Sequence, residues 1–237
     1  MDAKSESDGR RFVDRPPVLT TERLSLESLT EDLAEEMAPL LADARLHEFV
    51  GGEPLSLPAL RARYRRLASG HSPDGGERWL NWVVRRRDDG RAVGTVQATV
   101  TAEGDGKVVA WVAWVVGVPS QGQGFASEAA TALVRWLAAI GADVVAAIAP
   151  GHVASESVAR RAGLSVTGDH VDGERVWRLV AAAVAPTPKE PRRRAAHEDG
   201  TGPATTCLAD GPAGRAGPAD GPSERPAAVR WTPDQGR

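Results

Sequence analysis

The 237-residue chain holds a single cysteine, Cys207. That excludes a disulfide framework and a cysteine metal cluster, leaves no buried thiol to serve as a nucleophile, and fits a reducing cytoplasm. No sign of charge dominates: 29 Lys and Arg face 32 Asp and Glu, a net charge of −3. Such a balance argues against a protein that coats nucleic acid or an anionic membrane. Long apolar runs are missing too. The longest, residues 108–119, falls short of the ~18 residues that a membrane span needs, and the opening MDAKSESDGRRFVDRPP lacks the apolar core of a signal peptide. The expectations are therefore no metal, no membrane, no nucleic-acid partner and a cytoplasmic location.

Proline and glycine are plentiful but unevenly placed. Nine of 17 prolines and seven of 25 glycines fall in residues 186–237, where the only large apolar side chains are Leu208, Val229 and Trp231. Ordering a backbone costs roughly 1–2 kcal/mol per residue, more than so few apolar groups can offset, so this tail is expected to be disordered. It repeats Ala-Asp-Gly-Pro at 209–212 and 219–222 and carries the basic cluster Arg192, Arg193 and Arg194, which reads as a low-complexity extension. One folded unit, residues 18–185, is expected between a flexible polar leader, 1–17, and the tail.

Within that unit, residues 23–27 alternate as a short strand, and Thr30 with its following carboxylates opens a helix that Pro39 should kink or break. Leu57, Leu60, Tyr64 and Leu67 recur at helical spacing up to Gly70, with Arg61, Arg63, Arg65 and Arg66 between them as a solvated face. Residues 80–86, 92–101 and 107–118, separated by glycine turns, read as an antiparallel meander. A glycine loop at 121–126 leads into a helix with Ala129, Leu133, Trp136, Leu137 and Ile140 on one face. A buried strand at 144–148, a short helix at 154–162 and a closing strand pair, 164–166 with 175–180, complete an α/β (α+β) domain. Its central sheet is mixed and mostly antiparallel, flanked by helices.

The most specific feature is the run Gln121, Gly122, Gln123, Gly124, Phe125, Ala126, Ser127 between a strand and a helix. Glycines let backbone N–H groups curl towards a ligand, and the helix start behind them favours an anion such as a pyrophosphate. By itself the glycine pair is equally compatible with a tight turn that holds nothing. A dinucleotide fingerprint fits poorly, since the preceding strand closes an antiparallel meander and Pro150, not an acidic residue, ends the next strand.

The whole run Gln121-x-x-Gly124-x-Ala126 resembles the Q/R-x-x-G-x-G/A signature of the GNAT superfamily of N-acetyltransferases. Thr21-Glu22-Arg23-Leu24, the block Gly124 to Ala129, and His152-Val153-Ala154-Ser155 with Gly163-Leu164 are similar to blocks of its RimJ/RimL-like branch. The resemblance implies acetyl-CoA as acyl donor, with its pantetheine arm along the stretch Trp114, Val116, Val118 and its pyrophosphate on the N–H groups of residues 121–127. An amine would attack the thioester directly, so no enzyme nucleophile is needed. It further implies an oxyanion-binding N–H near Trp114 and Ser155 as the group that meets the departing thiolate; apart from the resemblance, Ser155 reads as a helix cap. His152 stands where the branch usually has Asn. It bonds the pantetheine amide, or acts as a proton carrier near pH 7, or is an exposed loop residue that has lost the family contact. Two further departures are Glu27, where relatives often have arginine, and Pro119, one residue closer than usual to Gln121. Tyr64, the sole tyrosine, lies on an early helix and does not match the acid that many relatives use.

No carboxylate declares itself as general base: Glu128 reads as structural, and Glu48, Glu103 and Asp105 as loop residues. A site without a base suits an α-amine (pKa ~8) better than a lysine amine (pKa ~10.4). The expected acceptor is a protein N-terminus or a small-molecule amine, and the expected assembly a monomer or homodimer. Trp79, Trp82, Trp111 and Trp114 read as core, or as the wall of an acceptor cleft. The arginine run could also touch an acidic acceptor or the 3′-phosphate of CoA. The competing function, motivated by His152 and the missing base, is a non-catalytic acyl-CoA-binding or sensing module.

Overall fold

The computed structural model describes residues 15–50, 52–103 and 106–179. The tail at 186–237, Cys207, Asp105 and most of the leader lie outside the described residues. At the end of the leader, the carbonyls of Pro16 and Pro17 accept from Ser28 Oγ at 2.6 Å and Trp82 Nε1 at 2.7 Å.

Strands β1 (Leu19–Thr20) and β2 (Leu24–Ser28) are followed by helices α1 (Ala34–Leu41), α2 (His47–Val50) and α3 (Leu57–Ala68). The meander is β3 (Glu77–Arg86), β4 (Ala92–Ala102) and β5 (Val108–Val116). Then come α4 (Phe125–Ala139), β6 (Asp143–Ile148), α5 (Val153–Arg161), β7 (Leu164–Val171) and β8 (Glu174–Leu179). The eight strands form one sheet in the order β1-β2-β3-β4-β5-β6-β8-β7, in which only β5 and β6 run parallel. This is the mixed, mostly antiparallel sheet expected.

Strand alternation sorts the meander onto two faces. Leu80, Trp82, Val84, Val96, Ala98, Val100, Ala110 and Val112 pack in one cluster with Ala129, Leu133, Val134 and Leu137 of α4. On the other face, Trp79 and Val83 meet Met37, Leu60, Tyr64 and Leu67 of α1 and α3. Leu133 and Leu137 are fully buried, and each such side chain contributes about 1.5–3 kcal/mol. Arg85 fastens α1 to the sheet: its guanidinium donates to Glu36 at 2.6 and 2.7 Å and to Glu27 at 3.0 Å. Glu27, the apparent departure from the family pattern, thus has a local cationic partner.

Several local expectations are corrected. Pro39 sits inside α1 without ending it, because it falls in the last turn, where the helix is about to stop and the lost donor frees one carbonyl only. Thr30 precedes a single 3-10 turn, Glu31–Leu33, and its side chain makes no capping bond. Ile140 lies past the end of α4 and is 42% exposed. Of the arginine run, Arg61 and Arg65 pair with Glu35 and Glu31 across to α1 and the turn before it. Arg63 is buried instead of solvated, and burial pulls its guanidinium down to about 10. The reading of the tryptophans as core holds for three of the four, in separate clusters: Trp82 meets Trp136 edge-on at 5.8 Å, Trp79 lies on the opposite face, and Trp111 packs with Val109 and Val145.

Candidate active site

β5 and β6 pair over three residues only, Val109 with Asp143, Ala110 with Val144 and Trp111 with Val145. Beyond that point β5 continues to Val116 on the edge of β4, and β6 continues to Ile148 on the edge of β8. The two parallel strands therefore part in a V. The burial of β5 follows: Val109 to Val112 are buried, whereas Ala113, Trp114 and Val115 are half-buried. A strand edge facing no neighbour leaves backbone donors and acceptors for a ligand that runs along it.

The glycine loop lies at the open end of the V. Gly122 and Gly124 have φ of 74° and 83°, a region that costs a side-chain-bearing residue roughly 1–2 kcal/mol. Gly124 is also the N-cap of α4. Among the described residues no acceptor takes the backbone N–H of any residue from 122 to 127, whereas Gln121 N–H bonds Val118 O and Glu128 N–H bonds Gly124 O. Six successive free amides at the positive end of a 15-residue helix could receive an anion. The side chains brace it: Gln121 Nε2 donates to Val116 O at 2.9 Å and Gln123 Nε2 to Pro119 O at 3.2 Å. Phe125 is buried, Ala126 and Ser127 are half-buried, and Ser127 Oγ lies 3.5 Å from Arg161. An open depression of about 840 Å³ borders the loop, lined by Thr21, Gly124, Ser127, Thr131 and Arg161 among others. Val118 is corrected here. The strand stops at Val116, and Val118 belongs to a 3-10 turn, Val118–Ser120, because Gly117 and Pro119 end the extended run.

Across the V, four residues separate the end of β6 from the start of α5. Ser155 is half-buried in the first turn of α5 and does not cap it, since His152 holds the N-cap position. No hydrogen bond among the described residues engages Ser155 Oγ. His152 is half-buried, and burial lowers its pKa, outweighing the opposing pull of Glu156 and Glu48. Its imidazole is therefore neutral at pH 7, and Glu48, unplaced by sequence, comes into electrostatic range of it. Because the folded pKa is depressed, this contribution to stability is present above the ordinary histidine value of ~6.5 and is lost as pH falls through the folded pKa. A His152→Gln variant is expected to lose less of its melting temperature than the wild type between pH 7.5 and 5; parallel losses would contradict that sign.

The other candidates fall away from the V. Tyr64 is buried among apolar side chains, its hydroxyl has no hydrogen-bond partner among the described residues, and burial pushes its pKa up. Glu103 closes the β4–β5 hairpin, at the opposite end of β5. Among the described residues no cluster of His, Cys, Asp or Glu could hold a metal, and no helix is long and apolar enough to cross a membrane.

A family model, Acetyltransferase (GNAT) domain, matches residues 23–165. The chain belongs to the GNAT acetyltransferase family. Solved structures with the same fold include RimL, a ribosomal L7/L12 alpha-N-protein acetyltransferase in complex with coenzyme A, at 17% identity and a TM-score of 0.57 over 68% of this chain and 97% of that one. The acetyltransferase from Salmonella typhimurium that modifies the N-terminal serine of L7/L12 gives 18%, 0.55, 68% and 98%. The microcin C7 self-immunity acetyltransferase MccE, in complex with acetyl-CoA and AMP, gives 14%, 0.54, 67% and 92%. No curated protein sequence matches. As a GNAT domain, the chain is an acetyltransferase.

Sequence reasoning missed one part of this GNAT site. Thr21 and Arg23, noted only as a family run, both bond Glu128 at the start of α4. The signal available was a carboxylate in the first turn of that helix and a lone arginine in a strand-entry segment, which pair only through the fold.

Proposed function

We propose that the chain is an acetyl-CoA-dependent N-acetyltransferase, with its domain spanning residues 18–185, in which an amine attacks the thioester carbonyl directly. The observation that carries this reading is the parting of β5 from β6 immediately before six acceptor-free amides. Residues 121–127 would hold the pyrophosphate and the edge of β5 from Trp114 to Val116 the pantetheine arm. As the new C–N bond forms and the C–S bond breaks, an N–H near Trp114 would stabilise the oxyanion and Ser155 Oγ–H would meet the departing sulfur. The amine proton would leave through neutral His152 or through water.

For the acceptor, a protein N-terminal α-amine or a small-molecule amine of similar pKa fits best. The sheet face opposite α4 supports a polar acceptor: Asn81 and Gln97 are buried there opposite each other on β3 and β4, with Thr95 and Thr99 buried on the same face of β4. RimL, whose fold this chain shares, is named for an α-N-protein acceptor. The test is release of CoA thiol from acetyl-CoA with a panel of amines near pH 7.5. Turnover on peptide N-termini or low-pKa amines above that on lysine side chains is expected. CoA binding with no turnover on any amine would replace the enzyme reading with an acyl-CoA-binding module.

A further inference from the structure

Arg23 lies about a hundred residues before the glycine loop in sequence, yet its guanidinium is built into the loop. Nη1 donates to the Gln123 carbonyl at 3.0 Å, and Nε and Nη2 grip Glu128 Oε2 at 2.7 and 2.6 Å. The guanidinium also sits 4.8 Å over the Phe125 ring. Glu128 is itself fixed from the other side: its Oε1 takes the Thr21 hydroxyl at 2.6 Å and the Arg23 N–H at 2.9 Å. Burial would raise the Glu128 pKa, but these hydrogen bonds outweigh it and hold the group below the usual carboxylate range. A Cβ added at Gly124 would come into ordinary contact with Arg23 Nη2, at 3.4 Å, so the fork lies beside the loop's left-handed residue.

Resting on the reading of residues 122–127 as the pyrophosphate loop, we propose that Arg23 is its positioning residue. In a trans peptide the C=O and N–H point in opposite directions. Holding the Gln123 carbonyl on the β2 side therefore turns the Gly124 N–H outward, towards an incoming anion. Glu128 offsets the charge of Arg23, so the effect is one of orientation more than attraction. Only a planar fork can serve Gln123 O and Glu128 together; a lysine could keep the ion pair but not both bonds. Arg23 is about half exposed, and the better-covered Glu128 keeps the Thr21 hydroxyl and the residue-23 N–H whatever side chain stands at 23, so the ion pair adds little to stability.

The test uses the full chain as wild type, Arg23→Lys and Arg23→Gln, with CoA binding read by calorimetry. Binding of two fragments that stand for its parts, inorganic pyrophosphate and pantetheine, is read by amide NMR, which detects millimolar affinity. Both variants are expected to bind CoA and pyrophosphate about tenfold more weakly, with pantetheine affinity and melting temperature little changed. Arg23→Lys binding CoA as tightly as the wild type would leave charge as the whole effect and overturn the proposal. Equal weakening towards pantetheine and pyrophosphate would overturn it as well, since it would mark a general structural role. A wild type that binds neither CoA nor pyrophosphate would instead sink the loop reading, and this proposal with it.

Discussion

A Ser155→Ala variant is expected to bind CoA as the wild type does and to lose about a hundredfold in turnover. The hydroxyl sits in the first turn of α5 with no partner among the described residues. Its removal therefore leaves no buried group unsatisfied and should cost little stability. What it removes is a donor at the helix end that also carries the positive pole of the dipole, where a leaving thiolate is best placed. General acid groups typically contribute 10²–10⁴. The low end applies because a thiolate (conjugate thiol pKa ~8.5) leaves without full protonation, so a serine need only give a hydrogen bond. Single-turnover and steady-state thiol release separate the step, and Ser155→Thr, which keeps the hydroxyl, should recover much of the rate. A Ser155→Ala enzyme with unchanged turnover would exclude Ser155 from the chemistry, and one with weakened CoA binding would make it a cofactor contact.

The parts of this molecule that were legible in the sequence are those whose cause is local. The meander followed from alternation and glycine turns, and the start of α4 from Gly124, whose positive φ no other residue adopts as easily. The anion loop was legible for the same reason, because its amides are left open by chain direction alone. What stayed hidden depends on distant partners. Arg63 looks no different from Arg61 or Arg65 in sequence, yet it lies on the side of α3 that turns towards the core. Which strand of the closing pair joins β6 was likewise open, and it is the last strand, β8, that does so, leaving β7 at the edge. That order matters to the site, since pairing on its far edge is what allows β6 to leave β5 and still remain part of the sheet. The capping reading of Ser155 missed the N-cap, His152, by three residues, and the strand end at Val118 ran two residues too far, because at element ends the chain can cap or turn in several ways at similar cost.

Gly94→Ala is expected to be the most damaging small substitution in the domain. Gly94 faces Val116 across the β4–β5 ladder. A Cβ built on it would stand 2.1 Å from Val115 O and 3.0 Å from Val116 Cα. Both obstacles are backbone atoms, so no side chain can rotate aside; β5 itself must move. Overpacking a core commonly costs 1–3 kcal/mol, and a clash with backbone belongs at the top of that range, about 3 kcal/mol, or roughly 6–12 °C in melting temperature for a domain of this size. Gly168→Ala is the control, because a Cβ there meets nothing within 4 Å and the backbone is not left-handed; it should be nearly neutral. The consequence reaches the site. Moving the Val115 carbonyl turns the peptide it shares with the Val116 N–H, in the half-buried end of β5 where the strand leaves β6, and Val116 O is also the anchor for Gln121. Molecules of Gly94→Ala that remain folded should therefore bind CoA more weakly, with pantetheine affected as much as pyrophosphate. That pattern is opposite to the one expected for Arg23. A Gly94→Ala protein within 1 °C of the wild type would mean that the close approach of β5 to this glycine is not a constraint on the strand.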